Sequence, residues 1–345
     1  MTKRKTEPQV DPPVVGLSTR KKVLFSLITV VGLFCCVELV LRLARVGEPP
    51  VVGSLRFGYD TGIPIYDSDG ILREGEPYQD VPLFEADPEL FWRPIANTPF
   101  TGIDGLRLAT PATQSKPDGV YRAGIVGDSC SFLGMELYPS RFANLVRESE
   151  GREVEIINAS CPGYTSFQGV GRLSDVWPWQ PDAIIVYFGW NDHWKSLNGQ
   201  TDRDVKQRQL LSDAARTWLG KSRLYWCLYS FRARLSPPAS SPRRAPVRVP
   251  PEDYRKNLVT ILRQAEERGC ATIFITAPSA FLEGQMPPWA YDFFGQIYRM
   301  SPPEVEQIPV THARYNDVVR EVARSSPNAL LLDVAGQWSS PDEIT

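Results

Sequence analysis

The stretch Ala123-Gly124-Ile125-Val126-Gly127-Asp128-Ser129-Cys130-Ser131 decides the fold class. An apolar run of strand character stops abruptly at Gly-Asp-Ser. An α/β protein presents a nucleophile in this way: a buried strand ends, glycine permits a tight turn, and a hydroxyl emerges at the carboxyl edge of the sheet. Ser129 is that hydroxyl. Taken alone, Gly-Asp-Ser is a weak tripeptide, and an ordinary strand-to-helix turn is its plainer account.

Two further apolar runs end in turns, in order along the chain. They are Ile156-Ile157-Asn158-Ala159-Ser160-Cys161-Pro162-Gly163-Tyr164 and Ile184-Ile185-Val186-Tyr187-Phe188-Gly189-Trp190-Asn191-Asp192. With the first stretch they resemble the GDSL or SGNH family of serine esterases and acyltransferases, whose named residues are Ser, Gly, Asn and His. The resemblance runs over roughly residues 120–345. Carried over residue by residue, it implies Ser129 as nucleophile and Gly163 and Asn191 as oxyanion donors. A serine hydroxyl attacks a carbonyl poorly without a base, and the oxyanion that forms needs aimed donors.

The family's base is a histidine three residues after an aspartate, on the loop beyond the last strand. No Asp-x-x-His occurs here, and the sequence closes on Asp342-Glu343-Ile344-Thr345. The expectation is a chain that stops short of the pair and is nearly inert as written, a degenerate pair with Thr345 in the histidine's place being the alternative. The two histidines present, His193 and His312, are weaker candidates for base or for a substrate role, because neither follows an aspartate by three residues. The resemblance therefore implies an ester hydrolase working through an acyl-serine without cofactor. An O-acyltransferase or deacetylase on cell-surface glycan, or a catalytically silent carbohydrate-binding or structural module, are the alternatives.

From residue 120 strands and helices alternate, which predicts a flavodoxin-like three-layer α/β/α domain with a five-stranded parallel sheet over residues 119–345. Strands are expected near 121–127, 153–158, 182–188, 271–277 and 329–334, and helices near 139–150, 166–176, 203–232, 251–268 and 312–324. The helix from Pro251 is the clearest, with Tyr254, Leu258, Ile261, Leu262 and Ala265 on one face and Gly269 as its stop.

Upstream, Val23 to Leu41 is a 19-residue apolar run interrupted only by Glu38, long enough to cross a bilayer as a helix. Lys3, Arg4, Lys5, Arg20, Lys21 and Lys22 precede it and only Arg42 and Arg45 follow closely. This asymmetry predicts residues 1–22 in the cytoplasm, an uncleaved signal anchor over 23–45, and the rest outside. A cleaved signal peptide is the competing reading, weakened by the poor cleavage site at Leu43-Ala44-Arg45. Residues 46–118, rich in Pro and Gly, read as an irregular membrane-proximal extension with a few short strands, in which Phe91 and Trp92 want burial. Leu235 to Arg248 reads as an exposed linker with solvated arginines.

A net charge of −2 and no basic motif with interleaved aromatics give no ground for a nucleic-acid partner. Cysteine and histidine spacing suggests no metal site. Cys130 and Cys161 flank two candidate residues; they could pair, or remain buried thiols. Trp190 and Trp194 bracket Asn191, and Trp177 and Trp179 precede its strand, which suits either an acyl or sugar surface or simple packing.

Overall fold

A computed structural model describes residues 18–49, 51–57, 79–98, 101–108, 112–133, 138–196, 199–207, 215, 218–235 and 245–337. Residues 342–345, on which the degenerate pair rests, and most of the 235–248 linker lie outside these. An antiparallel sheet of β1 (Val51–Phe57), β2 (Gln79–Asp87) and β3 (Phe91–Pro94) comes first. The main sheet has the order β4-β6-β5-β7-β8-β9, where β4 is Arg107–Leu108, β5 Tyr121–Gly127, β6 Val154–Asn158, β7 Ala183–Tyr187, β8 Ala271–Ile275 and β9 Ala329–Leu332.

The five strands from β5 onward are all parallel, in the expected second-first-third-fourth-fifth arrangement. One strand was not anticipated: β4 adds to the edge antiparallel through Arg107 opposite Asn158. Two residues are too few to display a strand period.

Alternation along the central strands sorts the helices into two layers. Val126, Ile184 and Val186 face α4 (Ser166–Val176), α7 (Pro251–Glu266) and α10 (Ile308–Arg324), in one core with Leu173, Leu258, Ile261 and Val319. Ala123, Ile125, Ile185 and Tyr187 turn the other way, toward α3 (Tyr138–Glu150) and Val334 at the start of α11 (Val334–Gln337). The predicted apolar face of α7 is wholly buried.

Two helix expectations need correction. The long helix expected over 203–232 is broken: among the described residues α5 (Asp202–Gln207) and the helical residues 215 and 218–219 precede a turn at Gly220 and Lys221, and α6 (Arg223–Leu235) follows it. The helix expected from residue 312 begins a turn earlier, at Ile308, because Pro309 sits in the first turn, where a missing N–H costs nothing. Two short helices, α8 (Pro288–Ile297) and α9 (Pro302–Glu306), precede it.

The extension packs hard on the α4 side. Leu83 is fully buried in the main core, Phe91 stacks on Phe167, and Trp92 tilts against Tyr164. The Tyr164 hydroxyl donates to the Trp92 carbonyl at 2.7 Å. At the opposite edge Arg122, fully buried, binds Glu155 and donates to the carbonyls of Thr113 and Gln114, so the chain leading into β5 is held there. The apolar helix α1 (Thr19–Leu43) has 25 residues and none of them is buried. At about 1.5 Å per residue it exceeds the roughly 30 Å of a bilayer's hydrocarbon.

Close approach of α4 to the sheet depends on glycine. A Cβ on Gly169 would lie 2.4 Å from the ring of Phe188, which is itself buried, whereas one on Gly295 in α8 would meet nothing nearer than 3.7 Å. Gly169→Ala is therefore expected to destabilise the protein by about 1–3 kcal/mol through overpacking. Gly295→Ala should be neutral or stabilising by up to about 1 kcal/mol, because helix entropy is all it changes. Urea midpoints of the two variants of the full chain in detergent measure the contrast.

Candidate active site

β5, β6 and β7 end side by side, so the loops after them share the carboxyl edge of the sheet. In the first loop, Asp128 leaves the strand and its Oδ1 accepts from the Cys130 N–H at 2.9 Å. That bond caps the single turn α2 (Ser129–Phe132), of which Ser129 is the first residue. An N–H at that position has no partner within its helix and points out of the turn. Gly163 in the second loop has φ +78, a conformation that favours glycine, and a Cβ there would meet Trp92 at 3.2 Å.

Asn191 in the third loop binds the other two. Its Nδ2 donates to the Tyr164 carbonyl at 2.9 Å and reaches Asp128 Oδ2 at 3.5 Å. Ser129, Gly163 and Asn191 are each partly exposed, while Asp128, Tyr164 and Asp192 beside them are buried. All three sequence candidates meet at one edge.

Residues that the sequence left unremarked do the holding. Asn158 Nδ2 donates to the Ser131 carbonyl at 2.7 Å, tying the second loop to the first, and its Oδ1 accepts from the Ser160 N–H. Asp192 Oδ1 accepts from both the N–H and the hydroxyl of Ser166, tying the third loop to the start of α4. Arg248 corrects the expectation of a solvated linker: it pairs with Asp202 at 2.9 Å and donates to the Gly163 carbonyl at 2.6 Å. A polar residue closing an apolar strand run was the available signal for Asn158; Arg248 carried none.

His193 and His312 bond to each other. His312 Nε2 donates to the Ala277 carbonyl at 2.7 Å, so its Nδ1 is left to accept from His193 Nε2 at 3.0 Å. Trp190 stacks on His312 at 4.0 Å, and Trp194 packs on Phe294 and Tyr298. Burial lowers both imidazoles, His193 to about 3 with help from its neighbour and His312 to about 4. Among the described residues neither ring bonds to Ser129. Trp179 is buried and Trp177 bonds Gln264, so these two serve packing. Cys130 and Cys161 are free thiols, the first exposed and the second buried.

Asp192 generates a test of this loop lock. Burial raises its carboxyl from 3.8 to about 7, against the opposing bonds from Ser166. Between those values the folded chain holds a proton that the unfolded chain has released, so this group's contribution to stability falls as pH rises. Asp192→Asn keeps an acceptor for Ser166 and does not titrate. Its stability relative to the parent should rise between about pH 4 and pH 7, by up to about 1.4 kcal/mol per unit, in urea unfolding at several pH values. Asp192→Ala should instead cost about 1–3 kcal/mol, by leaving the Ser166 donors buried and unpaired.

The profile of the GDSL-like lipase/acylhydrolase family matches residues 125–344. Several solved structures resemble the chain. A lipase/acylhydrolase from Enterococcus faecalis is 19% identical, with 63% of this chain and 77% of that one covered and a TM-score of 0.36. An acetylxylan esterase from Geobacillus stearothermophilus is 15% identical, covering 65% and 83%, with a TM-score of 0.38. An alpha/beta hydrolase enzyme from the metagenome of Lake Arreo, Spain, is 18% identical, covering 64% and 83%, with a TM-score of 0.37. No curated protein sequence matches. On the strength of the profile match across more than half its length, the chain belongs to the GDSL-like lipase/acylhydrolase family, a family of ester-hydrolysing enzymes.

Proposed function

We propose that the chain is a serine esterase in which Ser129 attacks the ester carbonyl and carries the acyl group, with the N–H groups of Ser129 and Gly163 and the Asn191 amide receiving the oxyanion. One observation carries this reading: Asn191 touches the residue before Ser129 and the residue after Gly163 at once. Its bond to Tyr164 fixes the amide. The second amide hydrogen faces Asp128 at 3.5 Å, a distance at which little hydrogen bonding survives, so the oxyanion that forms on the ester's carbonyl oxygen when Ser129 attacks can recruit it. Burial raises the Asp128 carboxyl from 3.8 to about 6, so its charge is lost, and that hydrogen further freed, only as pH falls to about 6 and below.

The two histidines are not assigned to the base in this proposal. Each is engaged with the other or with Ala277. Their role is to pin the third loop to α10 across the end of β8. The proton from Ser129 is left to a group outside the described residues or to solvent.

Ser129→Ala is expected to abolish both hydrolysis of a short-chain aryl ester and labelling by a serine-directed phosphonate. Undiminished labelling of that variant would remove Ser129 from the mechanism. Asn191→Ala should lower kcat about 100- to 1,000-fold, the usual cost of one oxyanion donor. Equal kcat values for this variant and the parent would exclude the amide.

The membrane setting is likewise proposed, with α1 as an uncleaved anchor, its amino terminus cytoplasmic and the hydrolase domain outside. Its support is the fully unburied apolar helix together with the basic residues of its first turn, Arg20, Lys21 and Lys22. Protease added to spheroplasts should digest the domain and spare the amino terminus. A protected domain would reverse the topology, and a soluble product lacking residues 1–45 would make α1 a signal peptide.

A further inference from the structure

We infer that α6 is a membrane-surface helix that lies on the bilayer beside α1 with one stripe of side chains in the lipid. Four apolar residues, Leu224, Leu228, Phe231 and Leu235, follow one another at spacings of four, three and four and so share one helix face. Leu228, Phe231 and Leu235 are 61%, 62% and 70% exposed, and Trp218 just ahead of the helix is 66% exposed. The side turned inward is different: Trp226 is buried and its indole N–H donates to the Gly220 carbonyl at 2.8 Å.

What covers the stripe follows from how α6 is attached. Glu38, the one charge in the apolar run of α1, receives the Ser222 hydroxyl at 2.9 Å and the backbone N–H groups of Arg223 and Leu224 at 3.0 and 3.3 Å. It caps the amino terminus of α6 from another helix. Arg42, which also pairs with Glu38 at 2.7 Å, donates to the Lys221 carbonyl. The chain leaving α1 then presses on α6 so closely that a Cβ on Gly47 would lie 2.3 Å from the Arg223 carbonyl oxygen.

Glu38 stands three residues before Leu41, the last residue of the apolar span, so α6 starts at the depth where α1 leaves the hydrocarbon. A carboxylate at that depth is costly unless it is paired, and the α6 terminus together with Arg42 supplies the partners. An amphipathic helix held at that level puts its apolar stripe at the boundary of headgroups and acyl chains. The exposed Arg45, Lys221 and Arg232 and the aromatic Trp218 and Tyr229 suit an anionic headgroup layer. The surface would hold the hydrolase domain against the lipid and keep it from swinging on a single helix.

This inference rests on α1 crossing the bilayer, and the test separates the two. The full chain, carrying a photo-crosslinking phenylalanine derivative at Leu33 in α1, at Leu228 or Phe231 in α6, or at Arg263 on α7, is reconstituted into vesicles of phosphatidylethanolamine and phosphatidylglycerol and irradiated. Lipid adducts are expected at positions 33, 228 and 231 and not at 263. Adducts at 33 without any at 228 or 231 would overturn the inference and leave the anchor standing. Failure at all three would overturn both. Crosslinks from 228 and 231 to a second copy of the chain would replace the lipid surface with a dimer interface.

Discussion

The structure depends most on the lateral hydrogen bonds that join the three loops at the carboxyl edge of the sheet. Asn158 reaches from the second loop to the first, Asn191 from the third to the second, and Asp192 from the third to the start of α4. Each bond contributes only about 0.5–1.5 kcal/mol net, yet leaving its buried donor or acceptor unmade costs about 1–3 kcal/mol. The loops are consequently positioned as a set. Parallel register makes this possible, since Gly127 lies opposite Tyr187 and Ile125 opposite Asn158, so β5 and β7 end together and β6 ends two residues short of them.

Around that edge the rest of the chain acts as a brace. The amino-terminal sheet places Trp92 over Gly163 and against Tyr164, and Arg248 reaches back from beyond the linker to the Gly163 carbonyl. On the far side, His312 and Asn316 both donate to the Ala277 carbonyl, fixing the loop after β8. Arg320 pairs with Asp333 at 2.8 Å and holds that carboxyl at about 2, so α10 is locked to the end of β9. Segments remote in sequence thus converge on a small set of backbone carbonyls.

Much of the fold was legible because its signals are local. Strands buried on both faces read as continuous apolar runs, and α7 reads as a single apolar face ended by Gly269. The three turns that carry Ser129, Gly163 and Asn191 were visible for the same reason, each following directly on its strand. The edge strand β4 and the early start of α10 were missed where local signals fail: one element is two residues long, and the other opens on a proline.

By itself, then, the sequence determined the order of the five parallel strands and the apolar helix α1, which follow from spacing along the chain, while the three loop residues were picked out by their resemblance to a family's motifs. The tertiary structure alone decided that His193 and His312 bond to each other, that Arg248 clamps the second loop, and that Glu38 caps α6 from 184 or more residues away. Hydrogen-bonding side chains take their partners by distance and direction in space, and no periodicity of the sequence encodes either.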